Sequence, residues 1–327
     1  MDNKVKLLNF ELTTACPLNC PQCYCSLNTR KNMDRGTAFY WIDEAARNGV
    51  ETLNFSGGET MCYSYLYEVI QYAHHCGLKV NVALSGFGFN RESYEKLIES
   101  GVNGIFISLN GSTDKINSYS RNGYHLAISA LELLKKERYE NTTINWVMQI
   151  SNADDFENMI SLAETYQVAR LVVISLKPDS ANELSYAPTK QQIKKVASII
   201  RKYDGPVQVC VESCFSPMLA LLGESFFFGN TNVGDEKGCM AGRMFASINV
   251  DGLLSPCRHL YYFEKWDTLQ TYWEHSEILS RVRNVENDVR EPCQSCHYGP
   301  YCRHCLAINA CMNNDIYLGN QFCALNS

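Results

Sequence analysis

Asn48-Gly-Val-Glu-Thr-Leu-Asn-Phe-Ser-Gly57 decides the fold. A glycine closes a helix, an apolar run forms a strand, and a small-residue turn ends it. The same unit returns as Cys76-Gly-Leu-Lys-Val-Asn-Val-Ala-Leu-Ser-Gly86 and as Ser100-Gly-Val-Asn-Gly-Ile-Phe-Ile-Ser-Leu-Asn-Gly111. Arg91 to Ser100 and Tyr124 to Lys136 carry apolar residues at three- and four-residue spacing, which predicts helices. Strands are expected near 5–12, 51–55, 79–84, 104–109, 142–150 and 170–176. Strands alternating with helices at this pitch imply right-handed βαβ crossovers and therefore an α/β fold with a parallel sheet. Chemistry then belongs at the C-terminal ends of the strands. A cysteine loop after the first strand, Ser56-Gly-Gly-Glu, Ser85-Gly and Ser108-Leu-Asn-Gly all fall on that rim.

The alternation stops near residue 205. The expected division is a domain over 1–205, a bridge over 206–236 and a third segment over 237–327. The bridge opens with a short strand, Pro206 to Val211, and carries Cys210 and Cys214. The third segment is loop-rich and dense in cysteine, so metal is expected to substitute for apolar core.

With 327 residues, 46% hydrophobic and 20% charged, the chain has the composition of an ordinary globular protein with room for two domains. A net charge of −6 argues against a broad nucleic-acid surface. No long apolar stretch and no signal-peptide core are visible, so no membrane partner and a cytoplasmic location are expected. In a reducing compartment the sixteen cysteines read as metal ligands or catalytic thiols and not as disulfides.

Cys16, Cys20 and Cys23 follow the first strand directly, in Thr14-Ala-Cys-Pro-Leu-Asn-Cys-Pro-Gln-Cys-Tyr24. Thiolates this crowded suit an iron–sulfur cubane, and three ligands leave a fourth iron open to a small molecule. The C-x3-C-x2-C spacing resembles the signature of the radical SAM superfamily. That resemblance implies an open partial (β/α)6 barrel, a 4Fe-4S cluster and S-adenosylmethionine chelated at the open iron. Reductive cleavage then yields a 5′-deoxyadenosyl radical that takes a hydrogen atom from substrate. Gln22 departs from the aromatic residue common before the third cysteine. Gly57, Gly58 and Glu59 match the family's GGE motif, which contacts the methionyl amino group. Glycine permits close backbone approach there, and the carboxylate can accept from an ammonium. Ser108 is a candidate for the methionyl carboxylate or ribose, and Arg121 resembles an Arg-Gly element of the family. Asn110 stands where Asp is common, which leaves its partner open, and Asn152 is a weaker candidate.

A second resemblance covers the C-terminal cysteines. Cys239, twelve residues, Gly252, four residues and Cys257 are similar to the opening of a SPASM module, and Cys293-x2-Cys296-x5-Cys302 with Cys323 continues it. The resemblance implies one auxiliary 4Fe-4S cluster on Cys293, Cys296, Cys302 and Cys323, and another on Cys239, Cys257 and Cys305. Two residues in place of the usual three separate Cys302 from Cys305, and no further cysteine lies between Cys239 and Cys257. The second set is thus left with an open iron, a non-cysteine ligand, Cys311 or lower nuclearity. Zinc is the alternative occupant of paired C-x2-C knuckles, although five intervening residues are short for a zinc ribbon. Cys25, Cys62 and Cys76 read as packing residues. Cys210 and Cys214 are candidate hydrogen-atom donors, as a bridge cysteine is in radical SAM peptide epimerases, with burial as small hydrophobes the alternative.

The expected function is hydrogen-atom abstraction from a ribosomally synthesised peptide, leading to epimerisation or to cross-linking and oxidation. The alternatives are an enzyme of sulfatase-maturase type or one acting on a sugar or other small molecule, and, from another class, a non-catalytic iron–sulfur or zinc scaffold. A reducing donor of flavodoxin or ferredoxin type is implied. The chain begins almost at its first strand, so leader-peptide recognition is expected to be internal or to come from a separate protein.

Overall fold

The computed structural model describes residues 4–23, 25, 29–178, 181–223, 238–299, 302, 305–313, 315–320, 323 and 325. Residues 224–236 of the expected bridge lie outside the described residues. Strands and helices alternate through β1 (Leu7–Thr13), α1 (Arg35–Arg47), β2 (Thr52–Gly57), α2 (Leu66–His75), β3 (Lys79–Leu84), α3 (Arg91–Glu99) and β4 (Gly104–Ser108). The series continues with α4 (Asp114–Asn117), α5 (Tyr124–Lys136), β5 (Thr142–Met148), α6 (Phe156–Thr165), β6 (Arg170–Ser175), α7 (Lys190–Lys202), β7 (Gln208–Val211) and α8 (Ser216–Leu222). All six strands expected from periodicity are present, and the architecture is a mostly parallel α/β sheet. Two strands were not expected: β8 (Phe245–Ile248) and β9 (Leu254–Ser255).

The chain divides into two compact units that interleave in sequence. The first comprises residues 1–108, 121–142 and 241–283. Its strands run β4-β3-β2-β1-β8-β9, all parallel except β9, which turns back on β8. Leu8, Phe10, Leu12, Leu53, Phe55, Val80 and Val82 are buried, as are Ile42, Val69 and Ile70 of the helices. Phe10 and Phe55 meet edge to face at 5.6 Å. The alternate residues are polar: Asn9, Asn54 and Asn81 lie in register across three strands, and Asn81 Nδ2 donates to Asn54 Oδ1 at 3.0 Å. Gly49 ends α1 at φ +70°, a left-handed conformation that glycine adopts without strain.

The second unit comprises residues 109–120, 143–240 and 284–327. Its strands run β7-β6-β5, all parallel. Trp146 of β5 is fully buried and lies 5.0 Å from Phe156, ring centre to ring centre. Helix α7 starts at a Thr189/Gln192 capping box and buries Ile193, Val196, Ala197 and Ile200, one stripe of its surface. No helix among the described residues is long and apolar enough to cross a membrane.

Candidate active site

In the first unit the cysteine loop hangs from the end of β1 and is tied shut at its base. Thr14 N–H donates to Lys31 O at 2.8 Å, Met33 N–H to Leu12 O at 2.8 Å, and Lys31 N–H to Thr14 Oγ1 at 2.8 Å. The loop after β2 is joined to it by backbone hydrogen bonds from Gly58 N–H to Thr13 O (2.7 Å) and from Glu59 N–H to Ala15 O (2.8 Å). A Cβ on Gly58 would lie 2.4 Å from Ala15 O, and Gly57 sits at φ +140° against Thr13. The close approach that these glycines permit is therefore to the chain's own cysteine loop. Arg121-Asn122-Gly123 adds a third side: Asn122 N–H points at Cys20 Sγ (3.4 Å) and its amide donates to Asn19 O at 2.6 Å.

Glu59 is 1% exposed. Its carboxylate accepts from Ser85 N–H at 2.8 Å, from the Ser85 hydroxyl and from Met61 N–H at 3.2 Å. Burial raises its pKa, while the Ser85 and Met61 contacts and the Arg121 charge pull the other way. The structure thus brings Gly57, Gly58, Glu59 and Ser85 to the cysteine loop. Ser108 ends β4, half-buried, and its hydroxyl makes no hydrogen bond among the described residues.

The three loop thiols differ. Burial and the neighbouring Glu59, Cys20 and Cys23 push Cys16 up to about 11, although the Leu18 backbone N–H opposes them. Cys23 is lowered to about 6 by its contact with Cys25, against burial, and with help from the Arg121 and Arg258 charges. Among the described residues no three His, Cys, Asp or Glu side chains converge on a single-ion site. The thiolates of a cubane each bind a different iron, and three half-buried thiols on one loop beside two guanidinium groups suit such a cluster.

Arg258 and Glu11 were not singled out from the sequence. Arg258 Nη2 donates to Glu11 Oε1 at 2.7 Å, with both side chains only 12% exposed, and approaches Cys25 Sγ at 3.5 Å. Cys25 is buried and donates to Gly57 O at 2.8 Å. The only signal for Glu11 was an acidic residue inside an apolar strand run.

The second unit contains the other cysteines except Cys62, Cys76 and Cys257, which lie in the first. Cys293, Cys296, Cys302 and Cys323 line one small cavity with Pro217, Gly299 and Asn320. Asn320 N–H donates to Cys293 Sγ at 3.2 Å. Cys239 is half-buried. Cys305 is buried just before the helix Leu306–Asn313, and its sulfur takes the Ile308 N–H. The neighbouring Cys305 and burial hold the Cys214 thiol well above its ordinary value. Cys210 is 2% exposed in β7, in register with Val172, and burial pushes it up to about 11. None of the sixteen cysteines forms a disulfide. Asn110 fills the partner left open by the sequence: Val147 N–H donates to its Oδ1 at 3.1 Å, and its amide donates to Ser120 Oγ at 2.9 Å. Asn152 Nδ2 donates to Asn110 O at 2.8 Å, so its amide is a structural brace.

Residues 10–163 match the family model described as the Radical SAM superfamily. The chain carries a radical SAM domain. Among curated relatives, the PqqA peptide cyclase of Ruegeria pomeroyi is 29% identical over 305 residues, covering 88% of this chain and 78% of the relative. The AdoMet-dependent heme synthase of Methanosarcina barkeri is 24% identical over 346 residues, covering 99% of this chain and 97% of the relative. Among solved structures, Streptococcus suis SuiB bound to S-adenosylmethionine superposes with a TM-score of 0.77 at 16% identity, over 98% of this chain and 77% of that one. The anSMEcpe structure with bound AdoMet and Cp18Cys peptide superposes with a TM-score of 0.75 at 16% identity, over 98% and 94%. At such identities the two superpositions establish the radical SAM fold. The family uses a 4Fe-4S cluster and AdoMet, and the cysteine loop of this radical SAM domain is the part of the chain that suits them.

Proposed function

We propose that this radical SAM enzyme acts on a peptide and leaves it cross-linked or otherwise oxidised. One observation carries the reading of the reaction centre: the cysteine loop and the Gly57–Glu59 loop are joined through their backbones into one piece. In this reading Cys16, Cys20 and Cys23 hold the 4Fe-4S cluster, and Gly57, Gly58, Glu59, Ser108 and Arg121 hold AdoMet. When bound, the pair supplies a carbon-centred radical able to abstract a hydrogen atom. Buried Glu59 would accept from the methionyl ammonium, and the Arg121 charge would stand by the cluster. The fused loops would hold both in fixed relation, so that little ordering is left to binding. Cys293, Cys296, Cys302 and Cys323 would hold one auxiliary cluster, and Cys239, Cys257 and Cys305 another. The functional division proposed is a catalytic domain over 1–205, a bridge over 206–236 and an auxiliary-cluster domain over 237–327.

The peptide substrate is supported by the relation to a peptide cyclase along most of both chains. Oxidation is favoured over epimerisation by the two candidate donors. Cys210 is buried in a strand, and Cys214 neighbours another thiol. In ring closure the substrate loses two hydrogens. One would be the hydrogen atom abstracted; the other would leave as a proton and an electron, and Cys293, Cys296, Cys302 and Cys323 would hold the auxiliary cluster able to take that electron. The relation to a heme synthase, over nearly the whole of both chains, favours a second reading in which the substrate is a small molecule. A leader-binding protein and a flavodoxin- or ferredoxin-type donor are the partners proposed.

Reduced, reconstituted enzyme should release 5′-deoxyadenosine from AdoMet and convert a peptide encoded beside its gene to a product lighter by two hydrogens. An unchanged mass with deuterium uptake from solvent would mean epimerisation. Release stimulated by a heme-synthesis substrate and not by peptide would favour the second reading, and no release at all would leave only a scaffold.

A further inference from the structure

Cys25 stands two residues past Cys23 and is buried, and the sequence alone reads it as packing. Its surroundings are polar. Its backbone N–H points at Cys23 Sγ at 3.5 Å. Its thiol donates to Gly57 O at 2.8 Å and accepts from Arg258 Nη2 at 3.5 Å. The same Arg258 nitrogen donates to Glu11 Oε1 at 2.7 Å. One side chain therefore ties together the cysteine loop, the end of β2 and an ion pair anchored in β1. All of these residues belong to the first unit.

An ion pair with both side chains only 12% exposed is a poor device for stability. Desolvating two charges offsets most of their attraction, and an apolar pair of similar volume holds as well. Its position gives this pair another use. Arg258 reaches from beyond β9 to the residue that donates to Cys23, and Glu11 holds the guanidinium there. Cys25, gripped by Gly57 on one side and Arg258 on the other, is thereby kept with its N–H toward the Cys23 sulfur. Hydrogen bonds to ligating sulfurs and nearby charge set the potential of an iron–sulfur cluster. Donors and cations favour the reduced, more negative cluster and so raise that potential. Arg258 is the member of the pair that touches Cys25, so the positive end faces the loop.

We propose that Arg258 is a positioning residue for the N-terminal cluster: held by Glu11, it fixes the Cys25 N–H on the Cys23 sulfur and raises the reduction potential of that cluster. Cys25 is the intermediary and not a ligand. The proposal rests on the reading of Cys16, Cys20 and Cys23 as the ligands of the 4Fe-4S cluster.

The test is a potentiometric titration of the full chain, reconstituted anaerobically and followed by EPR. The signal whose g-values move when AdoMet is added belongs to the N-terminal cluster, which separates it from any other cluster in the chain. Arg258→Met with Glu11→Leu leaves no buried charge unpaired. It should keep the iron and the AdoMet-sensitive signal, with shifted g-values and a lower midpoint potential. Arg258→Lys, which retains a cation for Glu11, should hold the potential near the native value. Cys25→Ala keeps the N–H but loses the thiol that fixes it, so its potential should also fall, by less than in the paired variant. A native potential and native g-values in the paired variant would overturn the proposal and leave the ion pair a structural one. Should the paired variant lose its iron, Cys25→Ala decides, and an unshifted potential there overturns the proposal. Persistence of the AdoMet-sensitive signal in Cys20→Ala would instead remove the reading on which the proposal rests.

Discussion

Replacing Gly58 with alanine tests whether the cysteine loop and the Gly57–Glu59 loop move as one body. The added methyl would lie 2.4 Å from Ala15 O, 2.7 Å from Ala15 C and 2.8 Å from Thr14 O. All three are backbone atoms, so no rotamer change relieves the clash and the loops must part. The hydrogen bonds from Gly58 N–H to Thr13 O and from Glu59 N–H to Ala15 O are the first lost. At about 1 kcal/mol net each, they contribute roughly 2 kcal/mol. Overpacking adds about 1–3 kcal/mol, for a total of roughly 3–5 kcal/mol. Gly49→Ala is the control. Gly49 has φ +70° and nothing within 4 Å, so only left-handed strain applies, about 1–2 kcal/mol. Urea denaturation under anaerobic conditions reads both losses, and equilibrium dialysis reads AdoMet binding. Gly58→Ala should lose the greater stability and bind AdoMet poorly; Gly49→Ala should bind normally. A Gly58→Ala midpoint no lower than that of Gly49→Ala, with AdoMet binding retained, would refute the coupling of the two loops.

Arg258→Met should cost roughly 3–5 kcal/mol because Glu11 is left as a buried, unpaired carboxylate. Arg258→Met with Glu11→Leu should recover most of that loss, as a double-mutant cycle in urea would report. Asn110→Leu should cost about 2–4 kcal/mol, since Val147 N–H loses its acceptor in a buried site. At alkaline pH, burial holds Tyr139 at about 12, above its ordinary value of 10.0, and its hydroxyl donates to Asn103 O at 2.9 Å. The unfolded chain releases that proton first. The contribution to stability is therefore full below pH 10.0 and falls as pH rises toward about 12. Tyr139→Phe should flatten this limb, and phenolate absorbance should follow it.

Much of the first 205 residues was legible because its signals are local. A strand of parallel sheet is a short apolar run, and a βα turn needs small residues in fixed order, so the alternation announced six strands without reference to any partner. The cysteine loop was legible for the same reason, as its three thiols stand within eight residues of one another. β8 and β9 were missed because they are short and no helix alternates with them. Pairing with β1 defines β8 as a strand, and no run of residues 245–248 reveals that.

Sequence alone determined the alternating elements of the first 205 residues, their parallel sense and the cysteine motif, since each follows from periodicity or spacing within a few turns of chain. Tertiary structure decided what those residues face. Only there do Gly57 and Gly58 meet Thr13 and Ala15, Glu11 meet Arg258, and Cys25 meet Gly57. Charge pairing and sulfur contact act over a few ångströms of space, and the chain brings such groups together from positions whose separation carries no periodic trace.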